Sequence, residues 1–249
     1  MNHPLLIFAA GLIAGVMNSA AGGGSFVTLP VLVFAGVPSV IANASSTVAL
    51  FPGSFAGAWA YRHDFTPFEG VSMRALWGAS VAGGLVGALL LLFTPVTTFD
   101  AIFPWLLLFG TLAFSFGRQA GAALRRVVHI GPGALLFGQF LLAIYGGYFG
   151  GAVGIMTLAI WSLFFSANIN AMNAAKTLLV GSMNATAVVC FVLAGKVWWP
   201  QAAVMMAAAI IGGYFGAHYT RRLPPEKVRL GITVLTFLMT AAVFYRTYR

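Results

Sequence analysis

"GLIAGVMNSAAGGGSFVTLPVL" (residues 11–32) and "AIYGGYFGGAVGIMTLAIWSLF" (residues 143–164) decide how this chain folds. Each is apolar at both ends and interrupted by glycines. Laid over one another, they place Gly15 on Gly147 and Gly22 on Gly154. At the same offset "VPSVIANASST" (37–47) lies over "INAMNAAKTLL" (169–179), setting Ser45 on Thr177. Further along, "AGGLVGA" (82–88) matches "IGGYFGA" (211–217). Glycine and alanine are frequent in membrane helices, so each match alone is weak. Three in the same order read as an internal repeat.

The medium follows from composition. The chain has 249 residues, of which 60% are hydrophobic and 7% charged, with a mean hydropathy of +0.94. Soluble domains carry about 25% charged residues, so this is a polytopic membrane protein. Apolar runs fall at 5–21, 26–36, 40–61, 71–93 and 101–117, and again at 134–150, 155–166, 171–193, 199–219 and 228–245. The long runs reach about 20 residues and are apolar on all faces, unlike the roughly 10-residue alternating strands of a barrel. Helices satisfy their backbone groups internally, as hydrocarbon demands. The expected fold is therefore all-α, with two repeats. Each is a glycine-broken hairpin of short helices followed by three full transmembrane helices. Residues 1–117 form the first repeat, 118–133 a basic cytoplasmic linker, and 134–249 the second repeat. "LLIFAAGLIAGVMNSAAGG" (5–23) has the look of a signal peptide. No Lys or Arg flanks it and a similar segment returns mid-chain, so it reads as part of the mature fold.

The net charge of +9 is gathered in short loops, at Arg118, Arg125 and Arg126 and at Arg221, Arg222, Lys227 and Arg229. That is the positive-inside pattern. No nucleic-acid recognition module accompanies the charge, so no nucleic-acid partner is expected. The linker and the 220–229 loop are then cytoplasmic. So is the 62–74 loop, with Arg62 and Arg74, two spans before the linker. The 94–100 loop has no basic residue and faces outside. Its counterpart, 220–229, faces inside. Equivalent loops on opposite sides mean inverted repeats, an odd number of crossings in each, and both termini outside; Arg246 and Arg249 oppose this mildly. The single cysteine, Cys190, can form neither an internal disulfide nor a metal cluster, and reads as a small buried apolar residue.

Inverted repeats with glycine-broken segments at matching positions point to a secondary transporter and its central site. In "NSAAGGGS" (18–25), Gly22, Gly23 and Gly24 let backbone unwind and approach a ligand. A helix restarting at Ser25 would present its positive end to an anion. Close helix packing is the rival reading of these glycines, and of "GGYFGGAVG" (146–154). "IANASST" (41–47) offers Asn43, Ser45, Ser46 and Thr47, as ligands of an oxyanion or as caps and interhelical hydrogen bonds. Lys176, beside Thr177, is a cation within an apolar span. At a helix centre a lysine costs about 2.5–3.5 kcal/mol on insertion scales, whereas near an end it snorkels to the interface. Its counterpart is Ala44, within the polar stretch, so a bound anion is a plausible counter-ion. Asn184 and Pro52 coincide in mid-span and read as a helix contact and a kink. His63, Asp64 and His218 read as interfacial or solvated, and Trp198–Trp199 beside Pro200 as an interface anchor. An enzyme would need Ser25 or Ser54 with a histidine, yet no histidine or carboxylate lies deep in a span. No catalytic residue, metal or cofactor is expected. A passive anion channel or a membrane scaffold subunit is the alternative to a transporter.

The run "GLIAGVMNSAAGGGSFVTLPVLVFAGVP" followed by "IANASSTVAL", with the weaker second copy ending "AMNAAKTLLVG", resembles the sulfite exporter TauE/SafE family. The resemblance covers nearly the whole chain. It implies an inner-membrane carrier of a small anion, such as sulfite or an organosulfonate, exported at the expense of an ion gradient. The expected partners are that anion and the lipid bilayer, and a homodimer is compatible with the sequence. Asn18, Gly22, Gly23, Gly24 and Pro30, with Ser45 and Ser46, match the family motif. The second copy departs from it: Ile155 and Met156 replace the later glycines and no proline follows.

Overall fold

Ten helices and the turns between them make up the described residues, with no strand among them. The computed structural model describes residues 3–20, 23–60, 70–124, 126–127, 130–164, 169–220 and 225–249. The first five helices are α1 (Pro4–Ala20), α2 (Ser25–Phe34), α3 (Ser39–Ala60), α4 (Met73–Phe93) and α5 (Val96–Leu124). They are followed by α6 (Pro132–Tyr148), α7 (Val153–Trp161), α8 (Ile169–Leu193), α9 (Trp199–Thr220) and α10 (Pro225–Tyr248). Every apolar run of the sequence has become a helix. Helix ends differ from the expected runs, most of all at α5, which already begins at Val96, inside the expected 94–100 loop. The expected linker begins at residue 118, but α5 continues to Leu124. "RQAGAAL" (118–124) is mostly Arg, Gln, Ala and Leu, all strong helix formers. Hydropathy marks where the apolar surface stops, which is not where the helix stops.

Among the described residues, four helical segments are long and apolar enough to cross a membrane: Met73–Phe93, Val96–Gly117, Ala175–Leu193 and Glu226–Tyr248. Their flanks are apolar outward as well as inward, with Phe93 and Leu193 each 82% exposed. In water such a surface would aggregate; in lipid it is the expected boundary.

Glycine fixes which helices meet. α1 lies along α9 and α4 along α6. Gly11 and Gly15 face Met205, Ala209 and Gly213, while Gly212 and Gly216 face Leu12 and Val16. Numbers rise together along the seam, so α1 and α9 run parallel. In the second seam Gly83 faces Phe140 and Ala143, and Gly87 faces Ile144 and Gly147, again in parallel. A Cβ on Gly15 would be driven into the Ala209 carbonyl, and one on Gly147 into the Gly84 carbonyl. Small residues let membrane helices approach to backbone contact, where dispersion and weak hydrogen bonds take over from the missing hydrophobic force. The packing reading of Gly147 is thus the one seen, and Gly15 packs in the same way.

α5 and α10 cross in opposite directions. Trp105 Nε1 donates to Tyr248 Oη at 2.8 Å, and Thr111 and Thr240 share a hydroxyl bond of 3.0 Å. Arg229 Nη2 donates to the carbonyls of Phe114 and Ser115 at 3.2 and 3.0 Å. Against α5, an aromatic cluster of Phe26, Phe99, Phe103, Phe114 and Phe149 fills the interior. Phe26 and Phe149 meet edge-on with ring centroids 6.4 Å apart, which brings the two short-helix hairpins together.

Candidate functional site

The first hairpin turns at Gly23, whose φ of +90° suits glycine alone. Gly24 is buried against α1, where a Cβ would stand 2.7 Å from the Ala14 carbonyl. Its N–H donates to Asn18 Oδ1 at 2.8 Å. The N–H groups of Phe26 and Val27 go to the carbonyls of Gly23 and Gly24. The Thr28 hydroxyl, fully buried, reaches the Gly24 carbonyl at 3.2 Å and Ser46 Oγ at 2.6 Å. Asn18, Gly24, Thr28 and Ser46 therefore form one connected chain of hydrogen bonds. Asn18 acts in it as a cap on the α2 N-terminus. Ser25, half-buried, begins that helix. Gly22 lies outside the described residues.

The next two predicted residues engage the second half of the chain. Asn43 Nδ2 donates to the Tyr148 carbonyl at 2.7 Å. Its Oδ1 is buried and has no hydrogen-bond partner among the described residues. Ser45 Oγ accepts the Trp198 N–H at 2.8 Å. Thr47 bonds back to the Asn43 carbonyl at 3.0 Å, within α3.

The second hairpin breaks between Tyr148 and Val153, with Gly150 at φ +81° and Ala152 at φ +58°. Lys176, half-buried, lies along its far side. Lys176 Cδ, Cε and Nζ stand 3.5, 3.8 and 3.9 Å from where a Cβ on Gly154 would be. The stem thus runs past the first turn of α7, at ordinary van der Waals distance. Thr177, the neighbour of Lys176, is half-buried. The site residues thus fall into two groups, one around the α1–α2 break and one around the α6–α7 break.

Two features went unread in the sequence. Thr28 ties the first break to α3, and its signal was a lone hydroxyl in "SFVTLPVLVF". Gln139, at 2% exposure, donates from Nε2 to Ser80 Oγ at 2.9 Å and accepts from Trp161 Nε1 at 3.0 Å. Ser80 in turn donates to the Leu76 carbonyl. An amide inside the apolar run of α6 was the available clue. Among the weaker candidates, Asn184 Oδ1 has no partner among the described residues and Pro52 lies inside α3. Trp198 and Trp199 are exposed, as an anchor requires. Cys190 is half-buried rather than buried. Arg62, His63, Asp64, Arg125, Arg221 and Arg222 lie outside the described residues, as do the side chains of Ser54, Arg118 and His218. Among the described residues no three His, Cys, Asp or Glu side chains come together to hold a metal.

Ten apolar helices, glycine seams and two helix breaks in the interior define a polytopic α-helical membrane protein. The chain belongs to the Sulfite exporter TauE/SafE family, whose family model matches residues 7–243. It is 27% identical over 247 residues to a "Probable membrane transporter protein" of Haemophilus influenzae, covering 96% of this chain and 94% of that one. To the "Probable membrane transporter protein YfcA" of Escherichia coli K12 it is 26% identical, over 100% of this chain and 93% of the other. A third relative, "Probable membrane transporter protein ORF9" of a Sinorhizobium species, is 29% identical over 86% of this chain and 81% of its own. No solved structure matches.

Proposed function

We propose that this protein is a secondary transporter, not an enzyme, that exports a small sulfur-containing anion such as sulfite or an organosulfonate across the bacterial inner membrane. The observation that carries the reading is Lys176. Its side chain follows the start of α7 at Gly154. A helix N-terminus carries a positive partial charge, so a lysine laid against it raises the local potential rather than neutralising it. A desolvated anion is what such a place attracts, because Coulomb attraction grows as water is excluded. Ser25, Ser45, Ser46 and Thr177 supply hydroxyls, and Gly23 and Gly24 bring backbone to the same interior. Family membership and relatives named as transporters support the class, and the family's own description supports export.

The alternating-access frame is two inverted repeats, 1–117 and 134–249, joined by a basic cytoplasmic segment. Two packing facts support it. The α1–α9 seam and the α4–α6 seam are one contact seen from each half. Thr111 and Thr240 touch, and they are counterparts at the spacing that relates Gly83 to Gly212 and Gly87 to Gly216. Contact between counterparts is what a two-fold axis between the repeats would produce. The opposite directions of α5 and α10 agree with such an axis lying in the membrane plane. Single cysteines at Asp100 and at Lys227, on a Cys190→Ala background, should be labelled from opposite faces of the membrane; labelling from one face rejects the inversion.

The function is tested by counterflow of radiolabelled sulfite into proteoliposomes preloaded with sulfite or taurine. Saturable, trans-stimulated exchange is expected. Unsaturable flux with measurable conductance would make the protein a channel.

A further inference from the structure

Helix α6 ends in the interior. The next residue, Phe149, is 1% exposed and packs on Phe26, Phe103 and Tyr145. The last carbonyls of any helix lack partners within it. Tyr145 O receives the N–H of Phe149 at 2.8 Å and of Gly150 at 3.4 Å. Gly146, Gly147 and Tyr148 are left with carbonyls that no amide of α6 can reach. Asn43, itself 1% exposed, donates Nδ2 to the last of these at 2.7 Å. That bond fixes how the amide is turned, since the reverse orientation would set oxygen against oxygen. Oδ1 is consequently the buried atom left without a partner among the described residues. It accepts and cannot donate. The carbonyl end of α6 and this oxygen both carry negative partial charge, which repels an anion.

We propose that Asn43 Oδ1 and the last-turn carbonyls of α6 bind a monovalent cation, and that Asn43 does not touch the transported anion. Broken helices in transporters coordinate Na+ through half-helix C-terminal ends and unwound carbonyls. All the oxygens at this place are neutral. The chain has only four Asp and Glu residues. Asp100 and Glu226 are exposed, and Asp64 and Glu69 fall within 61–69, outside the described residues. With no carboxylate among the described residues to offset it, a divalent ion would carry too much charge for this interior. A proton alone is not retained either, because an amide oxygen is not basic near neutral pH.

The cation and the anion would then share one break. α6 ends at Tyr148 and presents its negative pole; α7 begins at Val153 and presents its positive pole, reinforced by Lys176. Opposite charges on either side of the 149–152 turn, in a medium of low dielectric, each raise the affinity for the other. This coupling rests on the anion reading above, whereas the cation site does not. For a monoanion the pair crosses as one neutral unit, in the direction set by the two gradients together.

The test is equilibrium binding of 22Na+ to the purified full-length protein, first without any anion. Saturable binding to one site per chain is expected, and sulfite should tighten it about tenfold or more. Asn43→Leu should abolish it. Asn43→Asp should tighten it by about tenfold or more, because the ion then bridges a carboxylate and the Tyr148 carbonyl. Lys176→Met, which removes a repelling positive charge, should bind Na+ more tightly than the parent without anion, and should lose the sulfite effect. A folded parent without saturable Na+ binding overturns the proposal, as does an Asn43→Leu protein that binds Na+ like the parent. Should Asn43→Leu fail to fold, unchanged or weaker Na+ affinity in Asn43→Asp overturns it equally. Na+ binding that ignores sulfite keeps the cation site and removes the anion reading alone.

Discussion

At the first helix break the polar groups bond to one another: Asn18 holds the Gly24 N–H, and Thr28 links the Gly24 carbonyl to Ser46. The second break is held differently. There Tyr148 takes a donor from Asn43, whose own oxygen has no partner among the described residues, and Lys176 lies along the start of α7. The shafts of the two hairpins differ as well. The second is fastened by Gln139 to Ser80 on α4 and to Trp161 on α7. The counterparts of Gln139 and Trp161 in the first hairpin are Ile7 and Leu29, both fully buried and held by apolar contact. In the first hairpin the hydrogen-bonding side chains named above sit at the tip, whereas in the second Gln139 and Trp161 add bonds along the shaft.

The largest expected effect should fall on both halves alike. Gly15→Val and Gly147→Val each force a side chain into the facing helix, at the Ala209 and Gly84 carbonyls. Overpacking a rigid seam costs about 1–3 kcal/mol or more, and here backbone itself must move. Both proteins should lose their monodisperse peak in detergent chromatography. If one folds normally, the seams are not equivalent.

A smaller and one-sided effect should come from Gln139→Leu. It removes the Gln139 acceptor of Trp161 Nε1 in a fully buried place, at a cost of about 1–3 kcal/mol. The matching change in the first hairpin, Ile7→Val, removes one methylene and costs about 0.5–1.5 kcal/mol. Thermal unfolding in detergent should rank them in that order. Equal shifts would show that the Gln139 bonds add nothing beyond packing.

The helices were legible because hydrocarbon leaves the chain few options. A run such as 71–93 must satisfy its own backbone, and it became α4, Met73–Phe93. The glycine matches were legible for the same reason, since close approach between membrane helices needs small residues. The site was legible only as a neighbourhood. "IANASST" announced hydrogen-bonding groups, but no pattern says that the Asn43 donor faces Tyr148, 105 residues away, or that Ser45 accepts from Trp198, 153 away. Partners so distant in sequence are fixed by packing, and packing decides whether an amide offers a donor or an acceptor. The helical start of the linker escaped because hydropathy is blind to Ala-rich helix outside the membrane.

Lys176 separates the two breaks most sharply, so anion affinity across its removal is the direct test. Sulfite binding by purified parent protein and by Lys176→Met, measured calorimetrically in the same detergent, should differ by about tenfold to a hundredfold, as expected for losing charge-assisted hydrogen bonds of about 1.5–3 kcal/mol. Both proteins should elute and melt alike. Equal affinity in the two would leave Lys176 as a packing residue on α7 and contradict an anion site at the second break.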